Sequence, residues 1–462
     1  MESETITGKP CRIFGNNKFS KKHVGKKFTS WKCTDKNCNV LIHTDASNIV
    51  QEESVTHNHE DKVLDVAAHK LKVSCKRKAD ADFDTPPSKV IRRELQALGG
   101  ETENIRPADL NAAKKSLWRK RAARHGLKPT TIQDTVERIK KFPLSTSRKE
   151  DFLMCAEQLS SKSAIIIFTC RSNLQTLCES DVILGDGTFF VVPKLFYQLY
   201  TLHVYNDGQY LPVLFALLPD KSAETYYLLI HKVYEQCALY SLSFLPKVIL
   251  LDFEMAAISA FQSFFDDIDV QLCHFHWAQS VFRQITNHAL KPAYTGDDTD
   301  VSNWLKMFFG VPLLPPDEVE DAFAEDIMAN APQDANVEQF CDYVCDTYIT
   351  PESRYPPHMW ARMPDDNQIP TTTNGAEAFH RHFKNCFQTA HPNIFALATE
   401  LLALQEETYV KLYSQNRQRS QRSGTVQRRE TIRKTCELYR SGQLTRAQYV
   451  QQISFKFLPV KI

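Results

Sequence analysis

Two aspartates stand where strand residues should be apolar, and they are the first chemistry the sequence offers. Asp186 sits between Gly185 and Gly187, inside a run that reads Val182-Ile183-Leu184 before it and Phe189-Phe190-Val191-Val192 after it. Asp252 closes the run Lys247-Val248-Ile249-Leu250-Leu251. Burying a carboxylate in a strand costs several kcal/mol unless a partner or a metal holds it. Two such acids on neighbouring strands can share a divalent ion, and flanking glycines let a phosphate backbone approach. Phosphodiester cleavage and strand transfer use this arrangement, with two Mg2+ or Mn2+ ions about 3.5–4 Å apart on the attacking and leaving oxygens. The plainer readings are a tight Gly-Asp-Gly turn for Asp186 and a helix N-cap for Asp252.

A third acid can come from a helix. Thr371-Thr372-Thr373-Asn374-Gly375-Ala376-Glu377 reads as a helix start. Asn374 and Glu377 are three apart and share a face, and Phe379 and Phe383 can pack that helix onto a sheet. By pattern alone Glu377 reads as an exposed acid paired with Arg381, and Asp365 and Asp366 are rivals.

Cysteine and histidine form a second chemistry. Cys33, Cys38, His57 and His59 are separated by four, eighteen and one residues. Zinc takes four such ligands in a tetrahedron, and a small domain with little core gains its fold from the metal. The His-x-His close suits a strand, whose alternate side chains share a face. Cys11 and His43 are possible substitutes. Cys273 and His276 are half a zinc site, with no second pair at metal spacing nearby; the plainer reading is a hydrogen-bonded pair near the carboxylates. Cys341 and Cys345 read as helix core.

The elements that must position these residues follow from periodicity and turn chemistry. Strands are expected over 181–192, 196–205 and 210–218, the last two joined by Asn206-Asp207-Gly208. A helix follows over 223–240, then a strand over 246–252, a helix over 254–265, a strand over 270–273 and a helix from Trp277. That order, β-β-β-α-β-α-β-α, is the order of a ribonuclease-H-like domain. The expected fold is α/β: a mixed five-stranded sheet with flanking helices, a helical insertion, and a small β-rich N-terminal zinc finger.

The motifs carry a resemblance. Gly185-Asp186-Gly187-Thr188-Phe189 resembles the first catalytic strand of Mutator-like element (MULE) transposases, and Val248–Glu254 resembles their second. Cys273-His274-Phe275-His276-Trp277 is similar to the Cys-x-x-His signature that follows the second aspartate there, and Thr373–Glu377 to the third-acid helix. The resemblance covers about residues 150–410 and implies that Asp186, Asp252 and Glu377 form a DDE triad holding Mg2+ or Mn2+. It places Cys273, His276 and Asn374 beside the site. Trp31-Lys32-Cys33, Cys38 and His57-Asn58-His59 resemble a FLYWCH-type zinc finger, with a shorter Cys–Cys gap than usual. Lys21, Lys22, Lys26, Lys27 and Lys32 are its candidate phosphate contacts.

Six segments follow: a finger (1–62), a linker and basic helical segment (63–150), the ribonuclease-H-like core (151–290), a helical insertion (291–370), the third-acid helix (371–410) and a basic tail (411–462). Their charges differ. Residues 1–150 hold 31 basic and 19 acidic residues, residues 151–410 hold 13 and 34, and residues 411–462 hold 12 and 2. Basic flanks around an acidic centre point to a polyanion partner, and the centre tolerates it if its acids hold metal. At 42% apolar, the 462-residue chain can bury a large core, and no apolar run reaches a bilayer's width. A polar, basic start and thirteen cysteines at irregular spacing predict no secretory leader and a reducing compartment.

The function expected is a MULE-type DDE transposase that binds double-stranded DNA through zinc, cleaves it and joins strands. By resemblance it acts as a homo-oligomer, on transposon ends and target, in the nucleus and away from membranes. The alternatives are a domesticated DNA-binding regulator without transposition and a nuclease that cuts without joining. Many MULE transposases carry a Cys/His-rich module after the catalytic domain; here Cys436 stands alone in the tail, which is left to contact DNA.

Overall fold

The computed structural model describes residues 2–4, 10–25, 27–45, 50–51, 56–81, 85, 87–125, 129–206, 209–296, 299–364, 374–387, 390–413, 423–455 and 458. It forms two compact units, residues 1–129 with 387–396, and residues 130–386 with 397–462.

The first unit begins with a six-stranded antiparallel meander. Its strands are β1 (Glu2–Glu4), β2 (Pro10–Phe14), β3 (Asn17–Val24), β4 (Thr29–Cys33), β5 (Leu41–Thr44) and β6 (Val50–Gln51). Its core is Phe19, Trp31, Cys33, Cys38, Val40 and Ile42. Three helices follow: α1 (Val63–Ala81), α2 (Pro87–Leu98) and α3 (Pro107–His125). The segment after the finger reads as a linker in sequence, yet α1 buries Leu71, Cys75 and Ala79, spaced four apart, against Val90, Ile91, Ala113 and Leu117. The run Lys76-Arg77-Lys78 hides that stripe because it occupies the helix's outer side.

The second unit opens with α4 (Ile132–Lys140), β7 (Leu153–Gln158), β8 (Ala164–Phe168), α5 (Arg171–Glu179) and β9 (Val182–Thr188). Then come β10 (Gln198–Asn206), β11 (Gln209–Leu218), α6 (Ala223–Leu239), β12 (Val248–Leu251), α7 (Met255–Phe264), β13 (Asp269–Leu272) and α8 (His274–Asn287). The sheet has seven strands in the order β13-β12-β9-β10-β11-β8-β7, not the five expected. β7 and β8 add an antiparallel edge; β8 is five consecutive buried residues, a run that periodicity alone cannot assign. β12 runs parallel to β9 and β13, and the other pairs are antiparallel.

Strand alternation divides the sheet's faces. Ile183, Leu202, Val204, Ile249 and Leu251 pack in one core with Tyr226, Leu229 and Val233 of α6 and Ile258 and Phe261 of α7. Asp186, Thr201 and His203 have the opposite parity.

The insertion contains α9 (Lys291–Thr295), α10 (Asp300–Met307), α11 (Val319–Asp321) and α12 (Ala335–Val344). Trp277 of α8 stacks on Trp360 at 4.1 Å and ties the insertion to the sheet. α13 (Asn374–Cys386) returns to the sheet and α14 (Ile394–Tyr413) follows.

The basic tail packs as two helices. α15 (Ser423–Arg440) and α16 (Arg446–Ser454) join the insertion's core through Cys436, Tyr449, Val450 and Ile453. Tyr449 donates to the Leu313 carbonyl at 2.9 Å, and Arg446 pairs with Glu325 at 2.6 Å and Asp326 at 2.5 Å. No helix among the described residues is long and apolar enough to cross a membrane.

Candidate active site

Asp186 and Asp252 come together through strand register. Val182, Ile183 and Leu184 pair with Val248, Ile249 and Leu250. Two residues further along each chain lie Asp186 and Asp252, so the aspartates fall level on the same side of neighbouring parallel strands. Asp186 is inside β9 and 5% exposed, not in a turn. Asp252 directly follows β12 and does not cap the next helix; Glu254 takes the N-cap position of α7. The glycines on either side of Asp186 make room on the sheet's other face, for Tyr200 and Gln198. A Cβ on Gly185 would stand 2.1 Å from the Tyr200 hydroxyl, and one on Gly187 2.7 Å from Gln198 Oε1.

Glu377 arrives on α13, which packs across β9 and β11. Phe379 meets Phe215 of β11 at 5.8 Å and stacks on Phe383 at 5.6 Å. This is the packing that the Phe379/Phe383 spacing predicts. Glu377 therefore turns inward, with its side chain 18% exposed. Asn374 begins α13, but its side chain, like Asp365, Asp366 and Thr371–Thr373, lies outside the described residues.

Two histidines face the acids. His276 Nδ1 lies 2.9 Å from Asp252 Oδ1, and its Nε2 3.6 Å from Glu377 Oε1. His380 Nδ1 lies 3.0 Å from Asp186 Oδ2. These are close ion-pair approaches and not well-aligned hydrogen bonds, so Asp186 Oδ2, Asp252 Oδ1 and Glu377 Oε1 face histidine nitrogens without a well-aligned donor. Burial pushes Glu377 up to about 7; His276 opposes this, while Asp186 and Asp252 add to it. Burial also raises Asp252, again opposed by His276. Burial disfavours the charge on His276, yet Asp252 and Cys273 beside it raise it to about 11.

His380, Thr201 and His203 are residues that the sequence reading missed. Thr201 donates to the Asp186 carbonyl at 3.1 Å. With that hydrogen committed, Thr201 Oγ1 accepts from Nε2 of His380 and of His203, each at 3.0 Å. Burial, and then His380, lower His203 to about 3, so it is neutral there. Part of the signal was available, because Thr201 and His203 alternate on one side of β10.

The carboxylates have the chemistry of a divalent-cation site, although among the described residues only the N-terminal Cys/His set has all its ligand atoms within 4.8 Å of one another. Asp186, Asp252 and Glu377 repel one another, and carboxylate oxygens are the hard ligands that Mg2+ or Mn2+ takes. His276 adds an imidazole between Asp252 and Glu377. Cys273 is fully buried at the N-cap of α8 and adjoins His276.

The N-terminal cluster is built separately. Cys33 ends β4, and an Asp35 turn, closed by the Asn37 N–H at 2.9 Å, brings Cys38 back within the short gap. His57 and His59 lie in a loop, not a strand. Asn58 holds that loop by donating to the Asn37 carbonyl at 2.9 Å, and His59 Nδ1 donates to the Glu60 carbonyl at 2.8 Å. The four ligand atoms lie within 4.8 Å of one another. Cys33 Sγ is 3.4 Å from His59 Nε2, Cys38 Sγ 3.4 Å from His57 Nδ1, and the two histidine nitrogens are 3.1 Å apart. A zinc tetrahedron has S–N and N–N edges of about 3.6 and 3.3 Å, so the donor set fits zinc. Cys11 faces His69 and His43 faces Ser30, each outside the cluster. Lys21, Lys22 and Lys27 are exposed on β3 and the turn after it, Lys32 is half-buried on β4, and Lys26 lies outside the described residues.

The site's first half has a counterpart among known families. Residues 182–280 match the family model of the MULE transposase domain. The match includes Asp186, Asp252, Cys273 and His276, and ends before the insertion and Glu377. It supports a transposase-type function, for which DNA is the partner. No curated protein matches the chain.

Proposed function

We propose that the chain is a DDE transposase of the MULE type, with a ribonuclease-H-like catalytic fold and a FLYWCH-like zinc finger for DNA. The observation that carries this is the level placement of Asp186 and Asp252 on neighbouring parallel strands, with His276 of α8 set between Asp252 and Glu377 of α13. Asp186 and Asp252 would hold one divalent ion between the level strand positions, and Glu377 would complete a second. Such ions supply an activated attacking oxygen and a stabilised leaving oxygen at a phosphodiester.

The chain's own residues do the rest. Gly185 and Gly187 let β9 seat against Tyr200 and Gln198 on the face of the sheet behind the site. Thr201 and His380 hold the backbone and carboxylate of Asp186. His276 holds Asp252 and Glu377 in one place until the phosphate arrives. In the first unit Cys33, Cys38, His57 and His59 would hold zinc, and the exposed Lys21, Lys22 and Lys27 neutralise phosphates in a salt-dependent, sequence-blind contact.

The test is purified protein with supercoiled plasmid and element-end DNA, in Mg2+ and in Mn2+, beside Asp186→Asn and Glu377→Gln. Metal-dependent nicking or joining, lost in both variants, is expected. Nicking that survives Glu377→Gln would remove the third ligand. Zinc-dependent DNA binding without any cleavage would leave the domesticated regulator as the better reading.

A further inference from the structure

A second chemistry-bearing surface adjoins the carboxylates. After β9 the chain leaves the sheet as Phe189 and Phe190, which are 45% and 41% exposed, and Tyr197, just before β10, is 54% exposed. The Phe189 and Tyr197 rings meet edge-on at 5.6 Å. Lysines lie over these rings. Lys384 Nζ is 4.0 Å from the centre of Phe190, and Lys221 Nζ, which is paired with Glu254 at 2.5 Å, is 4.8 Å from the centre of Phe189. Lys194 is exposed in the same loop.

Helix geometry connects this patch to the site. Glu377, Arg381 and Lys384 recur at i, i+4 and i+7, so one face of α13 runs from the carboxylate to the Phe190 ring. Seven residues rise about 10 Å, which is about three nucleotide steps along a strand. The surface chemistry narrows the occupant. Protein interfaces are depleted in lysine. Exposed aromatic faces interleaved with ammonium groups are instead the composition of a single-strand nucleic-acid platform, where bases stack and the cations track the backbone.

We infer that Phe189, Phe190 and Tyr197, with Lys194 and Lys384, hold an unpaired nucleotide of the DNA strand whose phosphodiester lies at the carboxylates. The inference rests on the transposase reading for the identity of that strand. Stacking uses the face of a base, which every base has, so the platform tolerates any sequence and selects for unpaired DNA.

The test uses the full chain in Ca2+ without Mg2+ or Mn2+. The probe is a duplex with 2-aminopurine in a short unpaired overhang, compared with the blunt duplex. The wild type should quench the fluorophore and prefer the overhang. Phe189→Ala with Phe190→Ala should abolish quenching and weaken overhang binding at least about tenfold, leaving blunt-duplex binding unchanged. Phe190→Trp should restore quenching, which shows that stacking and not folding was lost. Lys384→Ala should lower the salt slope of binding by about one. An overhang preference that is absent from the wild type, or unchanged in the double variant, overturns the inference. So does a double variant that loses self-association while keeping DNA, because the patch is then a protein interface. Parallel plasmid cleavage in Mg2+ separates the two ideas. Quenching without cleavage leaves the platform and sinks the catalytic reading; cleavage without quenching does the reverse.

Discussion

His276 and His380 do different work around the carboxylates. His276 stands between two acids, whereas His380 faces Asp186 with one nitrogen and reaches Thr201 with the other. His380 is thus a positioning residue, because it acts through the orientation of Asp186. His380→Ala is expected to weaken divalent-ion binding about 10–100-fold, as outer-shell losses do. Mn2+ titration followed by electron paramagnetic resonance reads this directly. If the variant melts at a lower temperature but binds Mn2+ as the wild type does, the residue is structural only. At this scale Asp186 and Asp252 were legible because a charge in a buried strand breaks an otherwise regular pattern. His380 was not, because nothing in a helix's sequence says which strand its face will meet.

α13 shows how much an element's placement depends on one small residue. A Cβ on Gly375 would stand 2.0 Å from the Tyr210 ring, so the helix start lies flat on that tyrosine. Gly375→Ala should push α13 away, cost about 1–3 kcal/mol by overpacking, and lower Mn2+ affinity through Glu377. Unchanged affinity would mean that the helix start moves without the acid. A second element is pinned by Glu150, which accepts from Tyr409 Oη at 2.5 Å, Ser172 Oγ at 2.7 Å and Ser172 N–H at 2.9 Å. Burial alone would raise its pKa, but the hydrogen bonds from Tyr409 and Ser172 outweigh that and lower it. A depressed carboxylate stabilises the fold fully above its unfolded value of about 4.3, and the benefit is lost as pH falls through the folded value. Glu150→Gln should therefore cost about 2 kcal/mol at neutral pH and flatten the fall in melting temperature below about pH 4.5. Parallel acid profiles for the two proteins would refute this. The elements from β9 to α8 were legible because turn residues and apolar runs alternate cleanly there. α1 and the two edge strands were not: a basic run masked the helix's apolar stripe, and β8 is too uniform to show a period.

Over the whole molecule, the charge division has two fates. The tail's net positive charge looked like a second DNA arm, but Arg446 spends its own on Glu325 and Asp326, and Arg433 on Glu430 and Glu437. Arg446 thus neutralises part of the acidic centre from too far along the chain for composition to pair them, while Arg433 pairs within its own helix. The N-terminal basic residues differ, since Lys21, Lys22 and Lys27 remain exposed on a sheet whose core is only six residues. A core of that size cannot hold six strands by burial alone, while a structural zinc contributes about 10–16 kcal/mol in isolated fingers. The first unit's sheet should therefore depend on the ion, and the second unit, with its own large core, should not. Removing zinc with a chelator, or replacing Cys38 by Ser, should abolish a low-temperature melting transition and weaken DNA binding. The main transition should stay within a degree or two of its original place, in the manner of independent units. Calorimetry with metal analysis by atomic absorption checks this. If the purified chain carries no zinc and the chelator moves neither transition, the four ligands are a packed cluster, and the sheet must be held by its contacts with α1 and the residue before it, where Cys11 Sγ lies 3.3 Å from His69 and Lys62 N–H reaches the Asn16 carbonyl at 3.1 Å.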